Sequence, residues 1–326
     1  MAPEDTFNTT ADIHPCYEIN KVSYALTSTP SIICVSLYVF LFSLSVVTIC
    51  GNLLVIIAII YFKQLHTPTN YLVLSLAVTD LLVGVLVFPF NMAFTVTFCW
   101  YDENVFCKIR GTFDMLLSTC SIMNLCCISV DRYYAVCQPL TYRTKINDHV
   151  AAVMILMSWG FSAVFAVAFS VAQLYYETSA VLFLMGKIIG PLFSFYLPLV
   201  IMLCIYLNIL IVAQRQARSI QSTTFQSTKS GATVNKMERK ATKTLAIVMG
   251  VFLISWAPFF LCYTFQLVSF GGVPIYVIES LNWLTLSNSM FNPFIYALFY
   301  SWFRTAFRMI ISGKIFQEDF SNTKLF

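Results

Sequence analysis

The sequence predicts an all-α membrane protein: a seven-transmembrane helix bundle with a short amphipathic eighth helix. Three observations carry that reading. The 326 residues are 59% hydrophobic and only 10% charged, a balance foreign to soluble domains. Apolar runs long enough to cross about 30 Å of hydrocarbon as helices of about 20 residues recur seven times, at 33–62, 70–97, 104–137, 149–172, 184–213, 241–268 and 273–299. Fifteen of the nineteen Lys and Arg fall on the side that holds the carboxyl terminus, and only Lys21, Lys108, Arg110 and Lys187 fall on the other. That asymmetry sets the carboxyl terminus in the cytosol and the amino terminus outside.

Taken in order, residues 1–32 are an extracellular amino-terminal segment. They are mixed and polar, without a basic stretch leading into an apolar core, so the first span is expected to serve as the targeting signal. The sequon Asn8-Thr9-Thr10 falls on the outer side, where glycosylation occurs. Residues 33–299 are the bundle. Its third run is too long for a minimal span and is expected to tilt or to project into the cytosol. Residues 219–235, rich in Ser, Thr and Gln, read as a flexible loop. Residues 300–326 are an amphipathic helix and cytoplasmic tail. Trp302, Phe303, Phe307 and Met309 alternate there with Arg304 and Arg308, the pattern of a helix lying on the bilayer. The net charge of +4 is an average over two faces, so it argues for membrane topology and not for nucleic acid. Outside, acids outnumber the four bases, which favours attraction of cations to the vestibule.

The third run holds one charge near each end, Asp114 and Arg132. An ionisable side chain in hydrocarbon costs several kcal/mol unless paired, so it marks a functional site by default. Eighteen residues make five turns, which puts both charges on one helix face about 27 Å apart. Ser118 and Ser121 extend a polar stripe from Asp114 at i+4 and i+7. No Lys or Arg occupies the outer halves of the second, sixth or seventh spans, so the reading favoured for Asp114 is an external cation, with an internal base on another helix as the plainer one.

Reading along the chain, Gly51-Asn52 in the first span is followed by Leu76-Ala77-Val78-Thr79-Asp80 in the second. Asp131-Arg132-Tyr133 closes the third, Trp159 lies in the fourth and Pro198 in the fifth. Ser255-Trp256-Ala257-Pro258-Phe259-Phe260 sits in the sixth and Asn292-Pro293-Phe294-Ile295-Tyr296 in the seventh. The ordered set resembles the class A (rhodopsin-like) G-protein-coupled receptors over roughly residues 33 to 312. Finer matches at His66–Asn70, Phe106–Lys108, Ser129–Cys137, Lys243–Phe252 and Tyr300–Arg304 are similar to the trace amine-associated receptors, and Gly313–Gln317 adds to that likeness.

The resemblance implies a plasma-membrane receptor for a small biogenic or trace amine, acting through a heterotrimeric G protein of the stimulatory class. The ligand ammonium would pair with Asp114 through a charge-assisted hydrogen bond. Trp256, Phe259 and Phe260 would surround it and pack an aryl group. Ser118 and Ser194 would add hydroxyls, although a serine one turn before Pro198 serves equally well bonded to its own helix. Pro258 permits a kink that makes the sixth span a moving part. An Arg132–Glu238 bridge would hold the third and sixth spans together until an agonist moves the sixth outward, with Asp131, Tyr133, Asn292, Pro293 and Tyr296 completing the switch. The plainer reading of Arg132 and Glu238 is a surface pair worth little. Asp80 with Ser121, Asn288 and Asn292 would form an all-oxygen site for sodium as an allosteric modulator; the alternative is a protonated Asp80 in a water network. No other cofactor is expected.

Two positions depart from the family pattern. The resemblance implies a disulfide from Cys107 to the loop between the fourth and fifth spans, but that loop, roughly 173–183, contains no cysteine. The second loop cysteine expected to reach the amino-terminal Cys16 is missing too. Either Cys16 and Cys107 pair directly or both stay free; Cys34 and Cys99 also lie near the outer face, and four thiols allow three complete pairings. Leu286 stands where the family places a tyrosine that braces the carboxylate of the third span, and leucine offers no hydroxyl. The shortened loop therefore keeps a second reading open, a non-signalling or folding-impaired amine-binding homologue. Other classes fit less well. A light receptor needs a lysine in the seventh span, and none lies between Gly271 and Phe299. Internal repeats of the transporter kind are not evident. The charged groups form no nucleophile–base or metal-ligand arrangement, so the chain does not read as an enzyme.

Overall fold

A computed structural model describes residues 17–20, 23–26, 32–97, 105–174, 186, 188–223, 230–268, 273–313 and 315. At 17–20, 23–26, 33–34, 93–97, 105–108, 173–174, 216–223, 230–246, 268, 275–276 and 301 the description extends to the backbone alone. The expected sequon at Asn8 and the thiol of Cys16 lie outside the described residues, as do the side chains of Cys107 and Glu238.

Seven helical spans form the bundle. The first is Ile32–Tyr61, closed by the 3-10 turn Lys63–Leu65. The second begins at Pro68–Leu82, passes through the π-helical turn Val83–Val87 and continues as Phe88–Thr97. Its start is encoded locally: the Thr67 hydroxyl accepts from the Asn70 amide at 3.3 Å, and Pro68 fills the first helical position, where its missing N–H costs nothing. The third is Val105–Cys137, 33 residues and so about 50 Å long, which exceeds the hydrocarbon thickness as expected. A short helix, Pro139–Lys145, links it to the fourth span, Asp148–Leu174. The fifth runs through a π turn at Leu192–Tyr196 into Leu197–Thr223; the sixth is Ser230–Val268 and the seventh Ile275–Phe299. Outside the bundle, Tyr17–Asn20 and Ser23–Leu26 pair as a small antiparallel hairpin.

The loop expected at 219–235 is smaller than its composition indicates. The fifth helix runs to Thr223 and the sixth starts at Ser230, because extending an existing helix by a residue is far cheaper than nucleating one, and Ser, Thr and Gln do not break it.

Six of these helices are long and apolar enough to cross a membrane by composition among the described residues. The seventh is diluted by Asn282, Thr285, Ser287, Asn288, Ser289 and Asn292. Five of these, Thr285 through Asn292, are buried against protein, so its polar face never meets lipid. Elsewhere the burial pattern is inverted relative to a water-soluble fold. Asn52, Asp80 and Asp131 are fully sealed while Leu156, Val164 and Leu298 are about 70% exposed, which is the surface a bilayer solvates.

Packing explains several residues of the ordered motif set. The Asn52 amide donates to Thr48 O at 2.9 Å and across to Ser289 O at 3.0 Å, tying the first span to the seventh. Ser45 donates to Gly84 O at 2.9 Å, and Trp159 Nε1 donates to Ser75 Oγ at 3.1 Å, joining the fourth span to the second. Helices approach closely at two glycines, as in other membrane bundles. A Cβ at Gly84 would sit 2.8 Å from Ile49 Cγ1, and one at Gly51 would sit 3.0 Å from the Pro293 ring. The amphipathic helix Ser301–Ile311 buries Trp302, Phe303 and Ala306 against Val55, Ala58, Ile59 and Phe62 of the first span, and leaves Phe307 and Ile311 outward for lipid.

The glycine contacts make a simple prediction. Gly84→Val overpacks the first and second spans at a cost of about 1–3 kcal/mol and lowers the unfolding temperature of the detergent-solubilised protein. Gly250→Ala, with nothing within 4 Å of its added Cβ, leaves that temperature unchanged or slightly raised.

Candidate functional site: an outer cavity above a buried polar axis

The outer half of the bundle encloses a cavity of about 390 Å³. All six residues expected at a ligand site (Asp114, Ser118, Ser194, Trp256, Phe259 and Phe260) line it. Asp114 presents its carboxylate to the cavity and accepts from Ser118 Oγ at 3.2 Å, its one hydrogen bond among the described residues. Leu286, where a bracing tyrosine was expected, is buried in an apolar cluster with Val83, Val87, Phe88 and Leu117 and gives Asp114 nothing.

Opposite the carboxylate, the sixth span offers aromatic faces. Phe252, Trp256 and Phe260 recur every four residues on one side of the helix, and Phe260 stacks on Phe195 of the fifth span at 4.1 Å between centroids and 4° between planes. Tyr196 OH reaches Phe260 O at 3.1 Å and pairs with Thr264 Oγ1 at 2.6 Å, fastening the fifth span to the turn after Pro258. Ser194 lies inside the π turn Leu192–Tyr196 and makes no hydrogen bond to a described residue, so its hydroxyl remains available to the cavity. The indole Nε1 of Trp256 is buried and also without a described partner.

Sequence reasoning missed part of the wall: Met115, Phe169, Tyr263, Asn282 and Thr285. Asn282 and Thr285 were findable, since they continue outward the inward polar stripe of Asn288 and Asn292 at helical spacing. Phe169 was not, because nothing in an apolar fourth span distinguishes a cavity-facing phenylalanine from a lipid-facing one. A base also stands on the third span itself, not on another helix. Arg110 lies on the same helix as Asp114, one turn outward, and donates to Asn91 Oδ1 from Nε at 3.0 Å and Nη2 at 2.7 Å.

Below the cavity, Asp80 is fully buried. It accepts from Asn292 Nδ2 at 2.6 Å and Ser121 Oγ at 3.3 Å, and Ser289 is within hydrogen-bonding reach. Asn288, expected in this set, is buried but makes no described bond to Asp80, and its Nδ2 has no described partner. Three of the four expected residues are thus brought together, with Ser289 beside them.

At the cytosolic end, Asp131 is sealed and accepts from three directions: Arg132 Nε at 2.8 Å, Thr69 Oγ1 at 3.0 Å and Tyr142 OH at 2.9 Å. Arg132 also donates to Thr69 Oγ1 at 2.6 Å. A buried ion pair holds only when its remaining hydrogen-bonding capacity is met, which Thr69 and Tyr142 do here. Burial, then the Asp131 charge, pushes the Tyr142 phenol above its ordinary range, so it stays a donor. Tyr133 packs on the core around Leu125 and Tyr206, Tyr296 is buried against Phe303 and Tyr300, and the Pro293 ring abuts Gly51.

Comparison with known proteins agrees with this architecture. The family model for seven-transmembrane receptors of the rhodopsin family matches residues 51–296. Trace amine-associated receptor 1 of Macaca mulatta is 44% identical over 331 residues, spanning 95% of this chain and 98% of its own. The Homo sapiens counterpart is 42% identical across 95% and 97%, and trace amine-associated receptor 4 of Mus musculus 40% across 96% of each. The chain therefore belongs to the rhodopsin-like seven-transmembrane receptors, which are G-protein-coupled receptors of the membrane and not enzymes. Within them it falls among the trace amine-associated receptors.

The cytosolic network predicts that Tyr142→Phe and Thr69→Val each cost about 1–3 kcal/mol, the penalty for removing a donor from a buried charge. Thermal unfolding of the purified variants measures the loss, which Tyr142→Trp does not spare.

Proposed function

We propose that this chain is a plasma-membrane receptor for a small biogenic or trace amine, with its amino terminus and Asn8 outside and its carboxyl terminus in the cytosol. The observation that carries the reading is Asp114. It is the one acid among the described residues lining an otherwise largely apolar and aromatic cavity, on the helix whose other end holds Arg132. A ligand ammonium meets the carboxylate in a low-dielectric site, where a charge-assisted hydrogen bond is strongest. The aryl group packs on Trp256 and Phe260, with Phe259 at the side; Ser118 orients the carboxylate and Ser194 supplies a hydrogen bond to a polar substituent. The names of the relatives, trace amine-associated receptors, support an amine as ligand.

Signal passes through the sixth span. Ligand filling the cavity pushes on Trp256 and the Phe260–Phe195 stack, and Pro258 lets the segment below swing as a lever. The outward swing separates Glu238 from the third span and frees Arg132 from Asp131 and Thr69, and Tyr133, Asn292, Pro293 and Tyr296 repack as the groove opens. A G protein of the stimulatory class enters it and raises cyclic AMP. Asp80, Ser121, Asn288 and Asn292 would hold a sodium ion, whose charge would tie the second, third and seventh spans together and so favour the inactive arrangement. The donor set suits a hard monovalent cation: a sealed carboxylate, the Ser121 hydroxyl and the side-chain oxygens of Asn288 and Asn292, with the unpartnered Asn288 amide free to turn its oxygen inward.

Two outcomes test the reading. In cells scored for surface receptor, primary amines raise cyclic AMP through the wild type, and Asp114→Asn shifts their potency by roughly a hundredfold or more, the loss expected for one partner of a buried charged pair. A flat response to every amine from wild type at the surface defeats it in favour of a non-signalling homologue. In membranes, replacing N-methylglucamine by sodium weakens agonist binding several-fold in wild type and not in Asp80→Asn; equal sodium effects in both remove Asp80 from that role.

A further inference from the structure

We infer that Tyr196 is a positioning residue for signalling: its hydroxyl fixes the part of the sixth span outward of Pro258 to the fifth span, and so confines the swing to the part inward of it. The inference rests on the proposal that the sixth span carries the signal. Phe195 and Tyr196 close the π turn Leu192–Tyr196, and both rings meet Phe260. Phe195 stacks flat on it, while Tyr196 meets it edge-on with 6.1 Å between centroids. Beyond the ring contact, Tyr196 OH lies 2.6 Å from Thr264 Oγ1 and 3.1 Å from Phe260 O, and Thr264 Oγ1 donates to Phe260 O at 2.8 Å. Each hydroxyl has one proton to give. With Thr264 donating to the carbonyl, the shorter contact has Tyr196 as its donor, and the phenol heads a relay that ends on the backbone of the sixth helix.

Among the described residues, the hydrogen bonds between the sixth span and any other span are the ones Tyr196 makes. Both land outward of Pro258, whose missing N–H leaves Ile254 O without its helical partner. Inward of the proline, the described side chains hold to the bundle by packing alone. Met249, Phe252 and Trp256 sit in the core with Leu125 and Ile209, and Ser255 Oγ and Trp256 Nε1 are buried without a described partner. The helix is therefore pinned on one side of its weakest turn and unpinned on the other. A rod pinned nowhere tilts as a whole and carries Phe259, Phe260 and Tyr263 of the cavity wall with it. Pinned at Phe260 and Thr264, it bends at Pro258 instead. The wall stays on the ligand while the inner segment moves. Neither Tyr196 nor Thr264 is among the described residues lining the cavity, so their effect on signalling is separable from ligand contact.

The test uses the full-length receptor in cells, scored for surface level, with the stronger of 2-phenylethylamine and hexylamine as agonist. Maximal G-protein activation per surface receptor is read beside ligand affinity, the latter from the concentration dependence of the unfolding temperature of the purified receptor, where no G protein is present. Tyr196→Phe keeps the ring and removes the hydroxyl. It lowers maximal activation to about half or less, the scale of an equilibrium shifted by one hydrogen bond, with affinity held within about twofold. Thr264→Ser keeps the relay and the wild-type response. Adding Thr264→Val to Tyr196→Phe costs nothing more, because the relay is already cut at its source. If Tyr196→Phe fails to reach the surface, Thr264→Val alone decides: it removes the shorter contact and lowers maximal activation at unchanged affinity. Full activation in the deciding variant, a loss of affinity in step with activation, or a double variant well below Tyr196→Phe makes the hydroxyl a plain brace or a ligand contact and overturns the inference. Wild type at the surface that answers neither amine overturns the signalling reading, and this inference with it.

Discussion

The hydrogen bond from Asn292 to Asp80, 2.6 Å long and sealed from solvent, joins the second span to the seventh at the centre of the bundle. Hydrocarbon supplies no donors or acceptors, so a polar group at that depth must find its partner within the protein, on its own helix or on another. The rest of the architecture follows from that constraint. Asn52 reaches Ser289, Ser45 reaches Gly84, Trp159 reaches Ser75 and Asp131 collects Arg132, Thr69 and Tyr142. A chain of polar contacts along the inner faces of the helices thereby aligns the outer cavity with the cytosolic end, while the outer faces are left to Leu, Val, Ile and Phe.

The same constraint divides the bundle into a tied half and a loose half. The described hydrogen bonds between spans concentrate among the first four and the seventh. The sixth is held to the fifth mainly by aromatic packing around Phe195, Phe252 and Phe260, with Tyr196 bonded beyond Pro258. Aromatic stacks are worth about 0.5–1.5 kcal/mol beyond area burial and slide more easily than hydrogen bonds break. The outer cavity is walled by that stack on one side and by Asp114 on the other, the arrangement on which the proposed coupling of occupancy to the sixth span rests.

Much of this was legible in advance where a residue is costly in lipid. Asp114, Asp80, Arg132 and Asn292 stand out because a buried polar group in an apolar run demands a reason, and the ordered motifs fix which span each occupies. Legibility failed where the informative quantity is relative rotation. Phe169 looks like any lipid-facing phenylalanine until the fourth span is turned against the third, and the seventh span, legible as a crossing run at 273–299, does not reveal which face is sealed until Asn288, Ser289 and Asn292 are seen to be buried. The bridge expected between Arg132 and Glu238 involves a side chain outside the described residues; among the described side chains Arg132 pairs with the adjacent Asp131, which needs no helix movement to be reached.

By itself the sequence determined the number of spans, their family and which carboxylate of the third span faces the outer cavity, because hydrocarbon makes those choices expensive and therefore visible. Only the tertiary structure decided what surrounds that carboxylate. The π turn that carries Ser194, the Asn91 oxygen that gathers Arg110 and Asn282, and the apolar seat of Leu286 all depend on how helices pack against one another. Packing is a property of facing surfaces, and no single helix contains it.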